Sequence, residues 1–411
     1  MEKVIIKADR LIDGFGGPPQ RDRALVIEGG VIAEVLFCEQ LENVADPSCV
    51  LDFPGATLLP GLIDAHTHTN MAGRGRSGEE ASGDGDDLML LRSARNARTA
   101  LRSGVTTMCD NGAWHNTGLS VKRGIEEGEV SGPTLLACGR PVTVTGGHLW
   151  FMGCEADGVE GVRKVTRRLI KEGADFIKVI ATGGSTLTSN PYRPAFGVDE
   201  LKAIGVEAHN QGRFVGAHCR SNQGMRNVLE AGFDAIYHAF FVDEEGRPSY
   251  DADVVERIVQ QGVWVNPTMH IGRSGIWAWE AKRDGVGLTQ EEEEKLSAGY
   301  EHRKVRLEQV GRMVDAGVRL IAGSDCGWGS YPFGQLAYEL ECMTQGGLTP
   351  MQAILSATSH AAESLGIGDR VGELTSGKRA DLLVVEGDPS EDILDLMKVQ
   401  AVFKDGNRVF P

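Results

Sequence analysis

The 411-residue chain lacks several things, and each absence removes a class of function. No run of 18 apolar residues occurs anywhere, which excludes a membrane-spanning helix. The opening residues, MEKVIIKADRLIDG, carry charges throughout and no apolar centre, so they do not read as a secretory signal. There is no block of Lys and Arg. The 42 basic residues are outnumbered by 58 acidic ones, for a net charge of −16, and a phosphate backbone finds no clustered cations to meet. Nucleic acid is therefore not an expected partner, and neither is a membrane. The eight cysteines are scattered without a CxxC pair, so a disulfide framework or zinc ribbon is not expected; they read as reduced thiols of a cytoplasmic protein. No glycine fingerprint for a dinucleotide follows any apolar run.

What is present has a rhythm. From residue 57 onward, short apolar runs at 57–66, 104–110, 133–139, 175–181, 213–219, 235–241, 263–269 and 319–325 alternate with amphipathic stretches such as 88–104 and 159–174. Several of those stretches end in Gly just before the next run, the expected punctuation of a helix C-terminus. Such alternation predicts an α/β protein with parallel strands and right-handed crossovers. Eight units predict a closed (β/α)8 TIM barrel over residues 57–366. The two ends lack helices and carry hairpin signals, Gly-Gly within ALVIEGGVIAEVL and Asp-Gly within VFKDGNRVF. Residues 1–56 and 367–411 are expected to form one small, discontinuous β-sandwich. The glycine-rich, charged stretch 72–87 reads as a mobile loop over the barrel mouth.

In a (β/α)8 barrel the reactive groups stand at the C-terminal ends of the strands. Side chains alternate along a strand, so His66 and His68 in GLIDAHTHTN face the same way. The fourth run carries Lys178, the fifth His218, the sixth His238 and the eighth Asp325; the second offers Asp110. Each alone has an ordinary explanation, a packed histidine or an aspartate capping a turn. Lys178 resists one, because a cation inside an apolar parallel strand is costly to bury. Tyr237 precedes His238, and alternation places it on the opposite face, in a packing role.

The ordered set HxH, Lys, His, His, Asp on strands one, four, five, six and eight resembles the amidohydrolase superfamily in its binuclear form. LPGLIDAHTH, LTSGKRADLLVVEGDP and VFKDGNRV are similar to its barrel entry and terminal sandwich, so the resemblance covers the whole chain. GRPVTVTGGHLWFMGCEADG, EGADFIKVIATGG and YHAFFVDEEG resemble the prolidase-like subgroup of Xaa-Pro dipeptidases and arginine carboxypeptidases. The resemblance implies two divalent metal ions, Zn2+ first among them. His66, His68 and Asp325 would bind the more buried ion, and His218 and His238 the more exposed one. Lys178, carboxylated to a carbamate (N6-carboxylysine), would bridge the two.

The implied reaction is hydrolysis of an amide C–N bond in a dipeptide or N-acyl amino acid by a metal-bridging hydroxide, with Asp325 moving the proton. His148, in the TGGH loop, is the candidate donor to the carbonyl oxygen and a substrate contact. Arg220 departs from the aromatic residue common at that position in the subgroup. It is a candidate clamp for a substrate carboxylate, or else a structural ion pair. A carbamate, urea or ester hydrolase with the same centre is an alternative. A mononuclear deaminase is another, disfavoured by Lys178, and a catalytically dead scaffold is disfavoured by the full ligand set. Trp277, Trp279 and Met269, with Trp328 and Tyr331, are candidates for an apolar wall at the mouth. The expected partner is a small-molecule substrate, and the expected assembly is a homo-oligomer with the Trp-rich stretch 264–285 as a candidate interface.

Overall fold

Two-residue alternation shapes the first strands, β1 (Lys3–Leu11) and β2 (Arg23–Glu28). Ile6, Ala8, Leu25 and Ile27 enter one buried cluster, while Ile5, Ala24 and Val26 enter another on the opposite face. The computed structural model describes residues 3–43 and 49–410. A hairpin joins β2 to β3 (Val31–Phe37), and its turn residues Gly29 and Gly30 have φ of 62° and 83°. That is the left-handed pair a tight two-residue turn needs, and the sequence supplied two glycines for it. Strand β4 (Val50–Pro60) then pairs parallel with β1.

The barrel follows, with β5 (Leu62–Thr67), β6 (Val105–Asp110) and β7 (Thr134–Ala137) parallel in one sheet. Two short strands, β8 (Val142–Thr143) and β9 (Cys154–Glu155), precede β10 (Phe176–Ile180), β11 (Phe214–Ser221), β12 (Ala235–Val242) and β13 (Trp264–Asn266). The Asp175 N–H donates to the Ala137 carbonyl at 2.9 Å and links β7 to the start of β10. The chain ends on β14 (Leu382–Glu386), β15 (Val399–Lys404) and β16 (Asn407–Phe410). These return to the first sheet, giving the order β16-β15-β14-β4-β1-β2-β3. That sheet folds over its own buried face. A Cβ on Gly30, in the β2–β3 turn, would lie 2.9 Å from the carbonyl oxygen of Asp405 in the β15–β16 turn. The sandwich is thus two halves of one sheet.

Three expectations change in detail. The apolar run 57–66 is two strands: Leu58 pairs with Val384 inside the terminal sheet, and the barrel strand begins after Gly61. A Cβ on Gly61 would sit 2.2 Å from the Thr106 hydroxyl oxygen, so only glycine passes there. The eighth run is an extended segment held by the bridges Val265–Leu320 and Thr67–Cys326 rather than a regular strand. It closes the barrel between β13 and β5, and it turns left-handed at Asp325 (φ 56°). The stretch 72–87 is a seated strap. Its Gly73 and Gly75 N–H groups donate to the Gly327 and Gly329 carbonyls, both at 2.7 Å, and a Ser77–Glu80 capping box starts a short helix at Gly78–Ala81. The helices at Asp86–Arg102 and Gly158–Glu172 match the periodic stretches, the latter ending on left-handed Gly173 (φ 105°).

Candidate metal centre

The floor of the barrel mouth is Lys178, fully buried in β10. Its Nζ lies 3.8 Å above the centre of the Tyr237 ring and 3.1 Å from His66 Nε2. Tyr237 therefore faces the barrel interior, its ring 4.6 Å from that of His66, where alternation had placed it outside. The neighbouring strand makes room with Gly216, whose Cβ would lie 2.4 Å from the tyrosine ring. His238 still reaches the same side because the backbone turns left-handed at His238 (φ 76°) and Ala239 (φ 46°), which ends the alternation. Arg306, from the long helix Gln290–Asp315, braces that turn. Its guanidinium donates to the carbonyls of His238 (2.6 Å), Ala239 (2.7 Å) and Pro267 (3.2 Å).

The imidazoles are oriented by partners on their other nitrogens. His66 Nδ1–H donates to Asn266 Oδ1 at 2.9 Å, and the Asn266 amide is fixed by donating to the Ile321 and Gly323 carbonyls. His68 Nδ1–H donates to the Gly112 carbonyl at 3.0 Å. Thr268 gives its hydroxyl proton to the Pro267 carbonyl and so accepts from His238 Nδ1–H at 2.7 Å. His218 uses Nε2–H toward the Gly183 carbonyl at 3.2 Å. These assignments leave lone pairs on Nε2 of His66, His68 and His238 and on Nδ1 of His218. Burial holds His66, His218 and His238 well below the usual imidazolium range, so those lone pairs stay free of protons.

Nε2 of His66 and His68 lie 3.5 and 3.4 Å from Asp325 Oδ1, so three acceptors converge, with the Lys178 amine beside them 3.1 Å from His66 Nε2. That arrangement fits a divalent cation, and the nitrogen and oxygen donors fit a first-row transition metal. The His218 and His238 rings stand 4.4 Å apart, with His66 5.4 Å from His238, and extend the donor set beside Lys178. Burial pushes the Lys178 ammonium down to about 7. Burial alone would raise the Asp325 carboxyl, but His66, His68 and Lys178 outweigh it and hold the group below its ordinary value.

The eight residues nominated in the sequence as metal ligands or substrate contacts line one cavity of about 710 Å3: His66, His68, His148, Lys178, His218, Arg220, His238 and Asp325. His148 is buried with its ring on Gly184, where a Cβ would lie 2.4 Å from Nε2. Its Nδ1 accepts from the Thr186 hydroxyl (2.8 Å) and the Thr186 N–H (3.4 Å), which leaves the proton on Nε2. Burial and the nearby Arg220 push His148 down to about 3, so it is a neutral donor. Arg220 lies over Phe240, 5.1 Å from the ring centre, and makes no ion pair among the described residues. Met269 and Trp328 line the cavity, whereas Trp277 and Tyr331 pack against His270 behind it. Asp110 is no ligand; it accepts from the N–H and hydroxyl of Thr69. Asn266, Thr268 and Arg306 went unnoticed in the sequence, and their only signal was a polar residue in an apolar setting.

The model of the amidohydrolase family matches residues 57–409. An ochratoxinase of Aspergillus niger is 31% identical over 97% of this chain and 84% of its own length. The solved structure of A. niger ochratoxinase superposes with a TM-score of 0.82 at 29% identity, covering 99% of this chain and 95% of that one. The crystal structure of a Xaa-Pro dipeptidase with methionine in its active site superposes with a TM-score of 0.85 at 27% identity, covering 99% of both chains.

Proposed function

The chain belongs to the amidohydrolase family, and from that membership we propose that it is a metal-dependent hydrolase cleaving an amide C–N bond in a dipeptide or N-acyl amino acid. The observation that carries the reading is the convergence of four oriented imidazoles, Asp325 and Lys178 at the bottom of one cavity. His66, His68 and Asp325 would hold one divalent ion, and His218 and His238 a second, with Zn2+ the ion best suited to these donors. When bound, such ions polarise the scissile carbonyl as Lewis acids and lower the pKa of water.

Lys178 is the residue we assign to a carbamate between the two sites. Its neutral amine would add to the carbon of CO2 and release one proton, giving an anion with two oxygens. Burial favours this, because it holds the ammonium down to about 7 and leaves much of the amine neutral at physiological pH. Asp325, ionised, takes a proton from the attacking water and returns it to the leaving nitrogen. His148 donates its Nε2–H to the carbonyl oxygen as negative charge develops there. Arg220 meets the carboxylate of the leaving amino acid. The likeness to a solved Xaa-Pro dipeptidase favours a substrate of this size. We place the protein in the cytoplasm, in keeping with the buried free thiols of Cys109, Cys138, Cys154, Cys219, Cys326 and Cys342. The homo-oligomer contact belongs at half-exposed Trp277, which is seated on Arg273 and Tyr338.

The test is metal content by plasma mass spectrometry on wild type and Lys178→Ala, alongside hydrolysis of a panel of Xaa-Pro dipeptides and N-acyl amino acids. About two metal ions per chain, halved or lost with activity in the variant, support the reading. One ion per chain, indifferent to Lys178, sinks the binuclear centre.

A further inference from the structure

Most charged groups around the cavity, apart from the metal-facing set, have partners in the protein. Arg76 pairs with Asp84, Arg273 with Glu341, and Arg303 with the Gln345 side chain, while Arg306 is spent on three carbonyls. Two groups are left over. Glu79 Oε1 and Arg220 Nε are both buried and both lack a hydrogen-bond partner. Both residues line the cavity, and neither forms an ion pair among the described residues. They do not pair with each other, so more than an ion-pair distance separates them.

Their positions in the fold are fixed. Glu79 sits on the strap that follows β5, the first stave of the barrel, and Arg220 lies at the end of β11, the fifth. In an eight-stave barrel the first and fifth staves stand across the axis from one another, with the imidazole cluster between. The strap cannot shift freely. A Cβ on Gly78 would lie 2.2 Å from Phe151 Cζ and 3.0 Å from Trp328 Cζ3, and Gly73 and Gly75 are bonded to the loop beyond Asp325. Phe240 backs Arg220 in the same way.

Both residues are half-buried, yet each brings to the cavity a charged group with one buried polar atom left unpaired, which a substrate group of opposite charge would satisfy. We propose that the partner of both is one zwitterionic substrate, a dipeptide with a free α-ammonium held by Glu79 and a free α-carboxylate held by Arg220. Resting on the amide-hydrolase reading above, this makes Glu79 the residue that selects free dipeptides over N-acyl amino acids. An acylated nitrogen has no charge to offer Glu79 and leaves its carboxylate stranded on binding. A cavity of about 710 Å3 has room for a molecule of that size.

The metal-loaded enzyme is assayed with the best dipeptide of the panel, its N-acetyl form and its C-terminal amide, in wild type, Glu79→Gln, Glu79→Asp and Arg220→Gln. Wild type is expected to favour the free dipeptide over both blocked forms. Glu79→Gln lowers the free-to-acetyl ratio of kcat/KM about tenfold or more, and Arg220→Gln lowers the free-to-amide ratio by a similar factor. Glu79→Asp, which keeps the charge, restores part of the first ratio. An acetylated substrate turned over as well as the free one by wild type overturns the zwitterion assignment and leaves amide hydrolysis standing. So does a Glu79→Gln variant that loses both substrates equally. If metal-loaded wild type hydrolyses no amide in any form, the functional reading itself fails, and this assignment with it.

Discussion

His66 Nδ1 and Asn266 Oδ1 are 2.9 Å apart, 200 residues away from each other in the chain, and that contact decides which nitrogen of His66 can face a metal. The amide cannot flip to offer its NH2 instead, because both of its protons are engaged by the carbonyls of Ile321 and Gly323. Asn266→Ala should therefore weaken metal binding about 10–100-fold, the usual loss when such an outer partner of a ligand is removed. Competition against a chromophoric chelator reads this directly. Unchanged affinity would show that the ring is held by packing alone.

Gly184 carries the ring of His148, and a methyl group there would stand 2.4 Å from Nε2. Gly184→Ala should push the imidazole off the carbonyl it is to serve and lower kcat by about 10²–10³-fold, as loss of an oxyanion donor does. Metal content should stay at the wild-type level. His148→Ala should lose a similar factor, and steady-state kinetics of the two variants side by side make the comparison. A Gly184→Ala enzyme with normal kcat would remove His148 from the chemistry.

Arg306 bonds three carbonyls around the left-handed turn at His238. Arg306→Met keeps most of the volume but takes this donor from the buried His238 and Ala239 oxygens, while the Pro267 oxygen keeps the Thr268 hydroxyl. At about 1–3 kcal/mol for each stranded group, and without full additivity, a loss of about 3 kcal/mol in unfolding free energy is expected. Urea denaturation of the metal-free protein measures it.

Glu339 gives a pH dependence. Its carboxylate accepts the N–H of Met269 (2.8 Å) and of His270 (2.6 Å) where the helix His270–Gly285 begins. Burial nonetheless pushes the group up from 4.5 to about 7. Between those values the folded chain keeps a proton that the unfolded chain has released. The stability it contributes is complete below 4.5 and is lost as pH rises through 7. Glu339→Gln removes this dependence. Its Tm relative to wild type should climb across that window and then level off, and a difference flat with pH would contradict the assignment.

How much of this was legible in the residues depends on the range of the contacts involved. Strand alternation put His66 and His68 on one face, and the same rule failed at Tyr237 on β12. The failure has a local cause, since a left-handed His238 resets the alternation and no residue type announces that conformation in a histidine. Lys178 was conspicuous because an amine in FIKVI has no bland reading. Asn266 and Thr268 were invisible for the opposite reason: their meaning lies in partners brought up by other strands. The terminal hairpins were legible because Gly-Gly and Asp-Gly encode their own turns. The break at Gly61 was not, since it depends on Thr106 standing against it.

Strand β4 lies between β1 and β14, and its β14 side is made by residues that leave the ribosome some 320 positions later. At about 5–20 residues per second, Leu58 and Leu59 wait some tens of seconds for Val384 and Leu383. During that interval an apolar strand presents a bare edge, the kind of surface that pairs with the wrong chain. Synthesis of this protein thus has a vulnerable period set by its topology, and it ends only when the last strands arrive to cover the first.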